Sequence, residues 1–146
     1  MTDVFVSYSV ESKKLMEHLK SMLLSTEQFN PIIVPQLEMN LVKNNTKVIE
    51  NLKKSSIFIC IINQDSIYNQ WVNQELGFWI GKNSGELKNM FILLDKKVTD
   101  KLKGFITYEN DMPYRYGNEK EFMEALQKLR EKLMEKYAHY GHYCIS

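Results

Sequence analysis

Trp71 and Glu75 carry the most specific chemical suggestion in the chain, four positions apart within "SSIFICIINQDSIYNQWVNQELGFWI", residues 55–80. On a helix beginning between Asp65 and Asn69 the two stand about 40° apart around the axis, and Phe78 continues their face. Val72, Leu76 and Trp79 make the adjacent, core-facing stripe, so Glu75 is expected at the border of the buried surface. A carboxylate beside an aromatic plate suits a sugar-bearing substrate. The ring stacks on a base or pyridine, and the carboxylate accepts ribose hydroxyl bonds or stabilises positive charge at an anomeric carbon. Where the leaving group is already cationic, as nicotinamide is in NAD, no general acid has to protonate it and one carboxylate suffices. The plain alternative is a solvated helical glutamate, since Trp-x-x-x-Glu spacing recurs by chance, so the surrounding elements have to decide.

Those elements alternate. "DVFVSYS" (3–9) reads as a short strand, and "ESKKLMEHLKSMLL" after it places Leu15, His18, Leu19, Met22 and Leu23 at helical spacing. "PIIVP" (31–35) is a second strand bounded by prolines. A helix over about 44–53 follows, with Val48, Ile49 and Leu52 on one side and an asparagine or Thr46 as cap. "SIFICIIN" (56–63) is apolar without alternation, as a central strand covered on both faces should be, and "MFILLD" (90–95) repeats it. "FITYEND" (105–111) is a weaker fifth strand. The last helix, 118 to about 137, opens on Asn118 with Glu121 three residues on, a capping-box pattern, and carries Phe122, Ala125, Leu126, Leu129 and Leu133 as its apolar stripe. Five strands alternating with helices predict an α/β fold: a flavodoxin-like three-layer sandwich with a five-stranded parallel sheet of order 2-1-3-4-5. Ligands of such sheets bind beyond the carboxyl ends of the strands, where strand order reverses. The loops "YSVES", "PQLEMNLVKNN" and "NQDSIYNQ" should converge there.

The 146 residues fit a single domain over 1–146. Lys and Arg number 19 against 18 Asp and Glu, with no basic stripe, which argues against nucleic acid. No cationic leader precedes a short apolar segment and no run approaches the roughly 20 apolar residues of a membrane span, so a cytoplasmic protein is expected. Cys60 and Cys144 are too few for a disulfide framework and are read as reduced thiols. The tail "AHYGHYC" holds His139, His142 and Cys144, but such tails more often pack their tyrosines than bind metal, and no metal site is expected. The eight methionines read as core filler. A phosphoacceptor receiver domain would need an acidic pair after strand one and an aspartate ending strand three, where this chain has Ser9 and Asn63. Neither a dinucleotide fingerprint nor a Walker loop occurs.

"DVFVSYS", the 55–80 stretch and the order of elements together resemble a bacterial Toll/interleukin-1 receptor (TIR) domain, over nearly the whole chain. The first box is Phe5, Ser7 and Tyr8; the second is the loop from Pro35 to Lys43; the third is the serine-rich lead into strand three with the Trp-x-x-x-Glu helix. The resemblance implies that Glu75 is the catalytic residue of an NAD-cleaving activity. It also implies substrate contacts from Tyr8, Ser9, Gln36, Leu37 and Trp71, with NAD as substrate and no separate cofactor. Two positions depart from the family pattern: Ser9 stands where a basic residue often follows the tyrosine, and Val72 where many members carry cysteine. Enzymatic members assemble to close the substrate site, so self-association through the loop 36–45 is expected. Stand-alone domains of this kind commonly belong to anti-phage systems of the Thoeris type, which implies a separate effector protein sensing a diffusible product. The competing reading is a TIR–TIR interaction module without catalysis.

Overall fold

A computed structural model of the chain describes residues 1–34, 41–64, 70–83, 89–101 and 113–137. Its elements are β1 (Thr2–Ser7), a 3-10 turn (Val10–Ser12), α1 (Lys13–Ser25), β2 (Phe29–Ile32), α2 (Leu41–Lys54), β3 (Ile57–Ile62) and α3 (Gln70–Lys82). β4 (Met90–Asp95), a 3-10 segment (Lys96–Lys101), β5 (Pro113–Tyr116) and α4 (Glu119–Tyr137) complete them. The five strands form one sheet in the order β2-β1-β3-β4-β5, every neighbouring pair parallel. This is the flavodoxin-like arrangement expected from the alternation of strands and helices.

Pleat alternation divides the core in two. Val4, Val6, Ile57, Ile59, Ile61, Phe91 and Leu93 face α1 and α4, which contribute Met16, Leu19, Leu23, Phe122, Leu126 and Leu129. Phe5, Phe58, Cys60, Ile62, Met90, Ile92 and Leu94 face the opposite way, toward Leu52 of α2 and Val72, Trp79 and Ile80 of α3. β3 is buried at all six positions, which is why its sequence shows no alternation.

Three boundaries differ from the sequence expectation. β2 is Phe29–Ile32 and pairs Pro31 with Val4, so the proline lies inside the strand; β2 is at the sheet edge, where a residue without an N–H is tolerated. α2 begins at Leu41, which puts Asn44, Asn45 and Thr46 within the helix and not at its cap. Its Ile49 is exposed, because Val48 and Leu52, one turn apart, hold the sheet and the next residue is turned about 100° away. The fifth strand is Pro113–Tyr116, and the stretch 105–111 lies outside the described residues. A four-residue edge strand whose described side chains include one that is buried, Tyr116 set edge-on to Phe122 at 5.0 Å, leaves little periodicity to read.

α4 follows its pattern closely. The Asn118 side chain accepts the Glu121 N–H at 2.8 Å, and the Glu121 carboxylate accepts the Gly117 N–H at 2.9 Å, one residue earlier than in the usual reciprocal cap. No helix among the described residues is long and apolar enough to cross a membrane.

Candidate functional site

Three stacked rings set the frame of the site. Phe5 of β1 lies 5.9 Å from Phe58 of β3 at an interplanar angle of 7°, and Phe58 lies 5.5 Å from Trp79 of α3 at 23°. From this stack the chain runs in opposite senses on the two sides. Two residues toward the carboxyl end of β1, on the same pleat face, is Ser7, an advance of roughly 6.6 Å. One turn back toward the amino end of α3 is Glu75, an advance of about 6 Å. The two steps nearly match, and the Ser7 hydroxyl donates to Glu75 Oε1 at 2.7 Å.

Glu75 therefore lies deeper than the border position its periodicity predicts. It keeps 6% of its surface, and it is the one buried residue among those described that can carry a full charge near neutral pH. Small Ser7 opposite supplies both the room and a donor. Burial pushes the Glu75 carboxyl from the usual 4.5 up to about 7, against the opposing pull of the Ser7 hydrogen bond. Oε1 is occupied by Ser7. Among the described residues no buried side-chain oxygen is left without a partner, which leaves Oε2 at the small opening that the 6% represents.

The groups around the carboxyl are weak acids. Ser7 pairs in register with Cys60, whose thiol is buried and raised by burial and then by Glu75, which makes it inert as a nucleophile. Tyr8 is partly buried against the α1 side of the core, and its phenol is raised by burial and then by the carboxylates of Glu17 and Glu75. Ser9 is fully buried: its Oγ lies 3.3 Å from Ser12 Oγ and 3.5 Å from Asn63 Oδ1, while Asn63 Nδ2 donates to Ser12. This knot ties the carboxyl ends of β1 and β3 together beside the site.

Of the predicted site residues, the structure thus brings Tyr8, Ser9 and Glu75 to one end of the sheet. Trp71 is in the first turn of α3, with its side chain outside the described residues, as are Gln36 and Leu37 and the tail with His139, His142 and Cys144. Half of the predicted loop 36–45, residues 36–40, is outside them too, and 41–45 are not loop but the start of α2. Among the described residues no cluster of His, Cys, Asp and Glu could hold a metal ion.

Sequence reasoning missed the partner of Glu75. The signal was present: Ser7 shares a pleat face with Phe5, and Glu75 shares a helix face with Trp79, but only the ring stack reveals that the two faces meet. Lys82 was missed as well. Its ammonium donates to the carbonyls of Leu52, Lys53 and Ser55 at 2.9, 3.0 and 2.8 Å and lies 4.4 Å above the Trp79 ring. It caps the carboxyl end of α2 from the last turn of α3 and so holds α3 lengthwise. A polar cavity of about 470 Å³, lined by Lys96, Tyr114, Arg115, Glu121 and Lys128, lies between β5 and α4, away from α3.

A comparison of the chain with protein-family models and with curated proteins finds no match in either.

Proposed function

We propose that the chain is an NAD-consuming enzyme of the TIR class that breaks the nicotinamide–ribose bond and releases nicotinamide with ADP-ribose or a cyclic ADP-ribose. The observation that carries the reading is Glu75: a buried carboxyl, fixed by one hydroxyl, at the carboxyl end of the sheet where strand order reverses. A group so costly to bury is retained where its charge is used. The resemblance of "DVFVSYS" and of the Trp-x-x-x-Glu helix to TIR boxes supplies the substrate class.

In this reading the ionised Glu75 faces the ribose carbon that bears nicotinamide. As the C–N bond breaks, its electron pair goes to the ring nitrogen, nicotinamide leaves neutral, and the positive charge moves onto the sugar, where the carboxylate stabilises it. Water then adds and loses a proton to give ADP-ribose, or a nitrogen of the substrate's own adenine closes the ring. The Ser7 hydroxyl keeps Oε1 in place throughout. Tyr8 stands at the same end of the sheet on its α1 face, and Ser9, through Ser12 and Asn63, fixes the strand ends. Gln36, Leu37 and Trp71 remain the proposed further contacts, and the loop 36–45 the proposed self-association surface. The product would serve as a signal to a separate effector protein in anti-phage defence.

The test is incubation of purified protein with NAD, dilute and then crowded or bead-bound, with separation of products by mass spectrometry. Nicotinamide release that rises faster than protein concentration is expected. No release at any concentration would leave the TIR–TIR interaction module as the better reading.

A further inference from the structure

We propose that a cationic ligand enters beside Glu75 in exchange for the carboxyl proton, so that the site takes the oxidised pyridinium form of a nicotinamide nucleotide and discriminates against the neutral reduced form. The inference rests on the NAD reading above and adds to it a charge rule. The groups of the described residues that act on Glu75 or feel its charge are uncharged at neutral pH. Ser7 and the Tyr8 phenol come from the β1 end, and the Cys60 thiol comes from β3. α2 offers Val48 and Leu52 to the same cluster, and the carboxylate of Glu17 in α1 acts on Tyr8. The one ammonium of α3 with a fixed position, Lys82, is about two turns away and committed to α2 carbonyls. A carboxylate enclosed with no cation beside it among the described residues is costly, which favours the protonated acid in the free protein. Its raised pKa, about 7, agrees with this.

A ligand with a fixed positive ring supplies the missing cation. The balance is simple: neutral carboxyl plus cationic ligand gives a carboxylate–cation pair and one proton released to solvent. A neutral dihydropyridine offers nothing in return for the proton and finds a protonated acid. By linkage, affinity for the cation rises tenfold per pH unit while the free carboxyl is protonated, then levels off once it is ionised.

The experiment is titration calorimetry of the concentrated full chain with the carbocyclic analogue of NAD, which keeps the pyridinium and resists cleavage. It is run from pH 5.5 to 8.5 in pairs of buffers with different ionisation enthalpies. Expected is about one proton released per ligand near pH 6, an affinity rising about tenfold from pH 5.5 to 6.5 and flat above pH 8, and neither effect in Glu75→Gln. Ser7→Ala, which removes the donor favouring the anion, should move the slope to higher pH. Reduced NAD should bind more weakly above pH 7 and release no proton. Binding of the carbocyclic analogue with no proton release and no pH slope overturns the exchange while leaving the NAD reading intact, and equal proton release with reduced NAD overturns the charge rule. Failure of the carbocyclic analogue to bind at all overturns both.

Discussion

The two faces of the sheet are made from the same strands, one residue out of phase, yet they are built for different ends. Under α1 and α4 the clustered core residues are apolar or aromatic, and the charged contacts are peripheral: Lys14 pairs with Glu119 at 3.1 Å, His18 hydrogen-bonds the same carboxylate at 3.0 Å, and Lys96 pairs with Glu121 at 2.7 Å. Such solvated pairs contribute little, and the face is stable by burial alone. Under α2 and α3 a core of similar aliphatic content also holds the stack of three rings, with a serine and a buried carboxyl beyond it. The second face accepts a cost the first avoids, and the position of that cost marks the site.

Truncation on the plain face gives the largest effect. Leu129→Ala, at a fully buried position of α4, should cost about 2–5 kcal/mol in denaturant unfolding. The activity of molecules still folded should stay unchanged. A loss of activity beyond the loss of folded protein would mean that the two faces are not independent.

Glu75→Gln sharpens the contrast from the other side. The folded carboxyl has its pKa raised from 4.5 to about 7, so the folded state holds its proton more tightly than the unfolded one. Wild-type stability is then full below pH 4.5, falls as pH rises toward 7, and above 7 is lower by up to about 3 kcal/mol. Glutamine does not titrate, and the variant should lose this pH dependence, so unfolding curves at pH 5 and pH 8 decide the point. NAD cleavage should fall about 10²-fold or more in the same variant. A variant that is both stable at pH 8 and fully active would remove the reason for the buried acid.

Lys82→Met gives the smallest effect. It keeps the apolar stem but leaves three carbonyls at the end of α2 without their donor, at a cost of about 1 kcal/mol. If Lys82 sets the lengthwise position of α3, the midpoint of the pH–activity curve should shift as the Ser7–Glu75 bond loosens. An unmoved midpoint would reduce Lys82 to a helix cap.

What could be read from the sequence follows from how many faces each element shows its surroundings. β3 and β4, covered on both sides, declare themselves as unbroken apolar runs, and β4 matches its expected span of 90–95. α4 displays its five buried residues at helical spacing and its Asn118 cap in plain order. The edge strands are legible only in part, because β2 carries its proline inside and β5 is four residues long with one buried side chain among those described. For Glu75, periodicity gave the angle around α3 but not the depth, which depends on what the sheet places opposite. That partner is 68 residues away in sequence, and no local pattern connects it to the helix.

The ring stack has a consequence for how α3 tolerates change. Between Trp79, which is anchored, and Glu75, which must meet Ser7, lie Leu76, Gly77 and Phe78; Leu76 and Phe78 pack against the core, and the three together also set a length. A side chain at Gly77 would meet nothing within 4 Å, so alanine there should fit and favour the helix by roughly 1 kcal/mol. Deleting any one of the three would instead swing Glu75 by about 100° around the axis, away from its hydroxyl. The segment is thus permissive at Gly77 and intolerant of miscounting.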